Sequence, residues 1–394
     1  MRPTPMGSRA IARMTLVITC LMVLLAGLVA PVKALADDQP KITQAKSAII
    51  VDGEGNVLWE KNPEDEMSLA SVTKVMTAMV ALDSGMDLDS KVTCSDVDLG
   101  PDSQTAGYKK GDTTTLRSLL EVMLVYSGND AATMVARAVA GDEAKFVEMM
   151  NAKATKLGMT HTHFSNCHGL EDEGKHYSCA ADMVKMGRYA LENYPFIAQT
   201  VELPEVTTQV GKTKITFEST DELVGSYEGM LGIKTGSVES GTTFLGACER
   251  DGVRLYTAVL GCKDNDGRFA DTRAMLDWAF DSYRTATFGT SGLAFRMAPY
   301  AFDARLKVPV YYGEATTGLV KKDGGTVSYS NKMIKPSCLV ESGKPYGTLT
   351  WSQGDRTIGS STCSTGLPMA NVPDFGPFIT RLFVNEAQLM EACA

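Results

Sequence analysis

Three short clusters of polar residues carry most of the chemistry this chain can do. The first is Ser71-Val72-Thr73-Lys74. On a helix, a lysine three residues after a serine lies one turn on, over the same face, within side-chain reach of the hydroxyl. An amine held there without its proton can take the serine's proton and turn the oxygen into a nucleophile, the Ser-Lys variant of serine catalysis. Alone, the spacing means little, because both residues are common and a solvated pair is the ordinary reading of an isolated match. Two further clusters change that reading: Ser127-Gly128-Asn129, and then Lys234-Thr235-Gly236. Three motifs of this kind in this order are far more specific than any one of them.

Acyl transfer from a peptide needs a nucleophile, a base, a proton path to the leaving amine and a site for the oxyanion. Ser71 is the candidate nucleophile and Lys74 the candidate base, which requires the lysine pKa to fall well below its free value of about 10.4. Burial and the second cation, Lys234, both push it that way. Ser127 can relay a proton to the departing amine, and Asn129 can hold a substrate amide. Lys234 supplies positive potential, Thr235 a hydroxyl, and Gly236 room for a substrate backbone to lie close to its strand.

The elements that must position these residues are legible as patterns. Two apolar runs, Ala48 to Val51 and Val57 to Trp59, flank a Gly/Asn turn and read as a hairpin. The run Val75, Met76, Met79, Val80 behind Ser71 has helical period. A polar, Gly-punctuated stretch from Cys94 to Asp112 reads as loops over the site. Thr115 to Tyr126 reads as a helix delivering Ser127-Gly128-Asn129 at its end, with Asp130 opening the next helix. Helical patterns recur at Glu143–Leu157 and Cys179–Glu192, and strand patterns at Glu202–Val210, Lys214–Phe217, Thr242–Cys248 and Arg254–Leu260. An amphipathic helix from Arg268 to Tyr283 follows. Strands first and last, with helices between and after, imply an α+β fold: one antiparallel sheet flanked by helices, with an all-helical lobe in the middle third. Beyond about Thr287, alternation at Leu306/Val308/Val310 and repeated Gly turns imply a small β-domain.

The stretches ASVTKVMTAMVAL, YSGNDAATMVARAVAG, FVEMMNAKATKLGMTHTHFSNCHGL, HYSCAADM and GMLGIKTGSVESG resemble the D-alanyl-D-alanine carboxypeptidases, the low-molecular-mass penicillin-binding proteins. The resemblance runs from about Ile42 to the end of the chain, is densest between Ala48 and Tyr283, and includes GKPYGTLTW in the β-domain. It implies a β-lactamase/transpeptidase-like catalytic fold and a serine hydrolase. The substrate would be the peptidoglycan stem peptide, whose terminal D-alanine is removed outside the cytoplasmic membrane. β-Lactams would be covalent inhibitors because they mimic the acyl-D-Ala-D-Ala bond. It further implies an oxyanion hole made by the backbone N–H groups of Ser71 and Ser237. The family's substrate-carboxylate arginine stands ten positions before a tryptophan, as Arg268 stands before Trp278; a bidentate guanidinium suits a carboxylate.

Other readings stay open beside it. A peptidoglycan endopeptidase is chemically close. A β-lactamase needs a deacylating base, and Glu171, Asp172 and Glu173 do not match that enzyme's Glu-centred motif. A non-catalytic envelope-binding protein needs none of the polar side chains in the three motifs. His161, His163, His168 and His176, with Asp172 or Asp182, invite a Ser-His-Asp triad, but their stretch resembles a structural loop under the site.

The chain of 394 residues carries a formal net charge of −9 without a long basic run, which argues against nucleic acid as a partner. Arg2, Arg9 and Arg13 precede an apolar run from Met14 to Ala30, and Ala34-Leu35-Ala36 follows: a secretory signal with a cleavage site. The expected organisation is a signal peptide over 1–36, a catalytic domain over 37–286, a β-domain over 287–372 and an amphipathic tail over 373–394. In the resembled family such a tail lies on the membrane as a peripheral contact; here Arg381 is its only cation. Export permits disulfides, and Cys167 with Cys179 and Cys338 with Cys363 are candidate pairs, against the alternative of buried thiols. No Cys-x-x-Cys or paired-His spacing points to a metal, and the chemistry asks for no cofactor.

Overall fold

The computed structural model describes residues 39–97, 99, 103–289, 291–292, 294–299, 306–333, 345–365 and 369–370. The signal peptide and the amphipathic tail expected from the sequence lie outside these residues.

A five-stranded antiparallel sheet organises the catalytic part. Its strands are β1 (Ser47–Asp52), β2 (Val57–Lys61), β7 (Met230–Val238), β8 (Gly241–Arg250) and β9 (Val253–Cys262), in the order β2-β1-β9-β8-β7. The first hairpin is tightened by Asp52, whose carboxylate accepts from the backbone N–H groups of Glu54 and Asn56. Both faces of the sheet's inner strands are covered, which explains why β1, β8 and β9 are buried almost along their whole length. Along β1, Ile49 and Val51 face the helical lobe, while Ala48 and Ile50 face the opposite layer. That layer is α7 (Asn265–Ser282), whose Phe269, Met275, Leu276 and Ala279 pack on the sheet. Its buried Asp271 accepts from the backbone N–H groups of Thr43, Gln44 and Ala45, fastening the chain's first described segment.

The lobe on the other face contains α1 (Thr73–Asp83), α2 (Leu116–Val125), α3 (Asn129–Ala140), α4 (Glu143–Lys156), α5 (Ala180–Asn193) and α6 (Pro195–Val201). The last of these, short and opened by Pro195, carries too little periodicity for the sequence to reveal. The small pair β3 (Lys91–Thr93) and β4 (Thr113–Thr115) brackets the polar loop. One expectation is corrected here. Strands β5 (Glu205–Val210) and β6 (Thr213–Glu218) pair only with each other, not with the main sheet. Their outer faces alternate with exposed polar residues, so they form a half-covered flap rather than a buried strand pair.

The β-rich part starts with β10 (Tyr283–Phe288), which continues directly from α7 and pairs with β13 (Thr316–Lys321). A second sheet contains β11 (Ala294–Pro299), β12 (Leu306–Tyr312), β14 (Val327–Met333), β15 (Pro345–Gln353), β16 (Arg356–Thr365) and β17 (Met369–Ala370) around Phe295, Val310, Tyr312, Leu349 and Cys363. Arg356 joins it to the catalytic part: its guanidinium lies 3.3 Å from Asp52 Oδ2 and over the Tyr283 ring.

The paired cysteines are also corrected. Cys167 and Cys179 are separate buried thiols, as are Cys94, Cys248, Cys262 and Cys363. Cys179 is engaged as a helix cap, its sulfur accepting from Asp182 N, and that geometry leaves it facing α5 rather than Cys167. Cys338 lies outside the described residues.

Candidate active site

Ser71 does not sit in the α-helix itself. It occupies a single 3₁₀ turn, Ala70–Val72, that feeds into α1. Ala70 has a positive φ of 48°, an uncommon state for a residue with a Cβ, and the turn is held on two sides. From the sheet, β7 approaches so closely that a methyl on Gly236 would lie 2.8 Å from Ala70 Cβ and 3.1 Å from Ser71 N. From the lobe, Gly169 lies against the Ala70 carbonyl. The absence of a side chain at Gly236 is what lets the nucleophile turn pack this closely against the strand.

Lys74 is wholly buried, and its Nζ has three neighbours: Ser71 Oγ at 2.8 Å, Asn129 Oδ1 at 2.5 Å and the His168 carbonyl at 2.6 Å. A neutral amine has two N–H donors and one lone pair. Asn129 Oδ1 and the His168 carbonyl can only accept, so they take the two donors, and the lone pair is left to the Ser71 hydroxyl. The pKa is set for this. Burial, and then the charge of Lys234, hold Lys74 well below the usual lysine value. Lys234, also buried, is brought down to about 7, first by burial and then by Arg268.

Ser127 and Asn129 come from the junction of α2 and α3. Ser127 has φ 73°, so the chain reverses sharply between the helices and presents the serine and asparagine together. The polar loop is stitched over this turn. Asn129 Nδ2 donates to Ser103 Oγ, Asn129 N to the Gln104 carbonyl, and Gln104 Nε2 to the Tyr126 carbonyl. Asp130 fixes the next residues, accepting from the N–H groups of Ala106, Gly107 and Tyr108 at 2.8, 3.0 and 3.2 Å. Replacing Asp130 with alanine removes the acceptor shared by these three donors, of which the Ala106 N–H is buried. It is expected to lower stability by about 3 kcal/mol and to open the loop to proteolytic nicking, measured by denaturant titration and limited proteolysis.

Lys234, Thr235, Gly236 and Ser237 lie on β7, the edge strand of the sheet, so one row of its backbone groups is not used in the sheet ladder. Thr235 Oγ1 is 2.5 Å from Thr220 Oγ1. Arg268, in the first turns of α7, reaches back to this strand and donates from Nη1 to the Gly236 carbonyl at 2.8 Å and to Ser237 Oγ at 3.0 Å. Its Nε is buried without a partner, and burial pulls its pKa down to about 10. A buried cation with donors to spare is prepared for an anion.

The fold therefore brings Ser71, Lys74 and Asn129 into direct contact, and Gly236, Ser237 and Arg268 into a second contacting group beside the nucleophile turn. The histidine rings are engaged elsewhere. His161 faces Glu66, His163 donates from Nδ1 to the Lys175 carbonyl, His168 accepts from Leu170 N, and His176 contacts Thr73 and Ser165. Asp182 accepts from His161 N and Thr162 Oγ1, holding the loop rather than an imidazole. Among the described residues no acidic or cysteine cluster could hold a metal ion.

Three participants carry no sequence signal. Ser103 and Gln104 sit in a stretch without period, and the Lys74 acceptor at His168 is a backbone carbonyl. Asp221 is a fourth case: a buried carboxylate that feels the charges of Arg268 and Lys234, pushed up to about 6 by burial, with Oδ2 unpartnered.

Residues 33–264 match the D-alanyl-D-alanine carboxypeptidase family. The Bacillus subtilis D-alanyl-D-alanine carboxypeptidase DacF is 31% identical over 328 residues, covering 81% of this chain and 84% of DacF. DacB2 of Mycobacterium tuberculosis is 35% identical over 252 residues, 62% of this chain and 86% of DacB2. Among solved structures, a peptidoglycan synthesis regulatory factor, PBP3 of Streptococcus pneumoniae, superposes with a TM-score of 0.70 at 25% identity, covering 83% of this chain and all of that one. Penicillin-binding protein D2 of Listeria monocytogenes, solved with ampicillin bound, gives a TM-score of 0.55 at 32% identity over 61% of this chain and 99% of that one.

Proposed function

This chain belongs to the D-alanyl-D-alanine carboxypeptidase family, and we propose that it is an exported serine carboxypeptidase that removes the terminal D-alanine from peptidoglycan stem peptides. The observation that carries the reading is the arrangement of Lys74. Its two possible N–H bonds are taken by obligate acceptors while its third neighbour is the Ser71 hydroxyl.

Ser71 Oγ attacks the carbonyl of the penultimate D-alanine, and its proton passes to Lys74 Nζ. The developing oxyanion is held by the backbone N–H groups of Ser71 and Ser237. As the C–N bond breaks, Ser127 passes a proton to the departing amine, leaving D-alanine and a Ser71 ester. Water then hydrolyses the ester and restores the hydroxyl. The substrate backbone lies along the edge of β7, where unpaired backbone groups can receive an extended peptide. Asn129 orients its amide, Lys234 and Thr235 its polar groups, and Arg268 its terminal carboxylate. A requirement for that carboxylate restricts the enzyme to chain ends and favours the carboxypeptidase over an endopeptidase. β-Lactams enter the same pathway and stop at the ester. Arg2, Arg9, Arg13, the apolar run and Ala34-Leu35-Ala36 support work outside the cytoplasmic membrane.

The test is D-alanine release from a diacylated Lys-D-Ala-D-Ala tripeptide. Wild-type protein is expected to release it, and Ser71→Ala to lose the activity by about four orders of magnitude or more. A folded wild-type protein that releases nothing overturns the carboxypeptidase reading.

A further inference from the structure

The peptide between Ala70 and Ser71 is gripped from behind by a chain of hydrogen bonds that the reaction steps above do not use. Ser165 N donates to His176 Nδ1 at 3.1 Å, which makes that nitrogen an acceptor and places the ring proton on Nε2. His176 Nε2 is 2.6 Å from Thr73 Oγ1. Thr73 Oγ1 in turn donates to the Ala70 carbonyl at 2.7 Å. Each group has one assignable role, so the donors run in one direction: Ser165 N–H to His176, His176 N–H to Thr73, Thr73 O–H to Ala70 O.

The target of this chain matters. The Ala70 carbonyl and the Ser71 N–H belong to one rigid planar unit and point in opposite directions. Holding the oxygen therefore aims the N–H. Ala70 itself is in a left-handed conformation that it would not keep unaided. Donors lined up on the carbonyl also polarise the amide, which strengthens the N–H as a donor on its other side. We infer that Thr73 and His176 are positioning residues that aim and polarise the Ser71 N–H as an oxyanion donor. The inference rests on the acyl-enzyme reading above.

A neutral ring is required, because a protonated His176 loses the acceptor that Ser165 N–H needs. The fold favours that state: burial brings His176 down to about 4. The titratable groups acting on it are His163 and Asp172 from its own loop, Lys74 from α1, and His168. Phe164 meets the ring edge-on.

The experiment compares Thr73→Val, His176→Leu, His176→Gln and the Thr73→Val/His176→Leu double variant. It measures kcat and KM for D-alanine release, and the rate of acylation by a fluorescent penicillin. Loosening one oxyanion donor is expected to cost about ten- to a hundredfold in kcat and in acylation rate, with KM nearly unchanged. The double variant should be no slower than the worse single one, since both break the same chain. Glutamine can accept from Ser165 N–H and donate to Thr73, so His176→Gln should recover to within about threefold of wild type. It should also lack the component that His176 protonation, near pH 4, is expected to add to the acid limb set by Lys74. Wild-type rates in Thr73→Val, additive losses in the double variant, or a glutamine variant as slow as leucine would each overturn the proposal. If His176→Leu does not fold, the isosteric Thr73→Val carries the test. If the protein is acylated by penicillin but releases no D-alanine, the substrate assignment fails while the acylation rates still decide the relay.

Discussion

Lys74→Met is expected to lower the rate of Ser71 acylation by about three orders of magnitude or more without unfolding the protein. Methionine matches the length and volume of the lysine stem, so the packing of α1 survives. The burial that holds Lys74 well below its ordinary pKa is a cost to the charged form, and the substitution removes it. What is lost is the lone pair aimed at Ser71, and the two acceptors Asn129 Oδ1 and the His168 carbonyl are left without their donor. Stability and catalysis should therefore part company: the stranded acceptors lower the melting midpoint by a few degrees at most, while acylation by a fluorescent penicillin nearly stops. A variant acylated at the wild-type rate would remove Lys74 as the base. The pH profile gives the same assignment a second reading. Lys234 lowers the Lys74 pKa through its positive charge. Making it neutral as Lys234→Gln lets the Lys74 pKa rise, so less free amine is present at any given pH. The acid limb of the acylation profile should move to higher pH. An unmoved limb would mean that the two lysines do not titrate against each other.

Much of this site was legible in the sequence because it is built from contiguous motifs carried on periodic elements. Ser71 and Lys74 stand one turn apart ahead of an apolar helix face, and the serine, glycine and asparagine of the second motif fall where α2 loses its period. The covered sheet was legible for a related reason, since strands such as β9 are apolar on both faces and admit no other placement. What stayed hidden depends on contacts between segments far apart in the chain. The alternation in β5 and β6 marks them as half-covered, but nothing local says that they pair with each other and not with the edge of the main sheet. The cysteines show the same limit. Cys167 and Cys179 bracket a short loop, yet spacing says nothing of where each sulfur points, and both are buried thiols. Backbone partners are harder still. The His168 carbonyl and the Ala70 carbonyl have no side-chain signature, although one orders Lys74 and the other the nucleophile turn.

Gly169 shows how far such backbone contacts determine the site, and Gly169→Ala is expected to be more damaging than loss of any single side chain in its loop. Its φ of +95° already disfavours a residue with a Cβ. A Cβ there would overlap the Ala70 carbonyl and lie 2.8 Å from Ser71 N, and these are backbone atoms with no flexible end to swing aside. Something must move, and there are two choices. If the loop gives way, the neighbouring His168 carbonyl leaves Lys74. If the nucleophile turn gives way, Ser71 leaves the line between Lys74 and the strand. Both choices lower acylation, and the strain lowers stability by about 3 kcal/mol or more. Gly174, in the same loop, separates conformation from contact. Its φ is +78°, but a Cβ there would meet nothing within 4 Å. Gly174→Ala should lose about 1 kcal/mol from the backbone preference alone and acylate at the wild-type rate. Thermal unfolding and penicillin acylation on the two variants decide it: equal losses at both positions would mean that the loop merely tolerates alanine poorly, whereas loss of acylation confined to Gly169 means that the nucleophile's backbone is built against that one glycine.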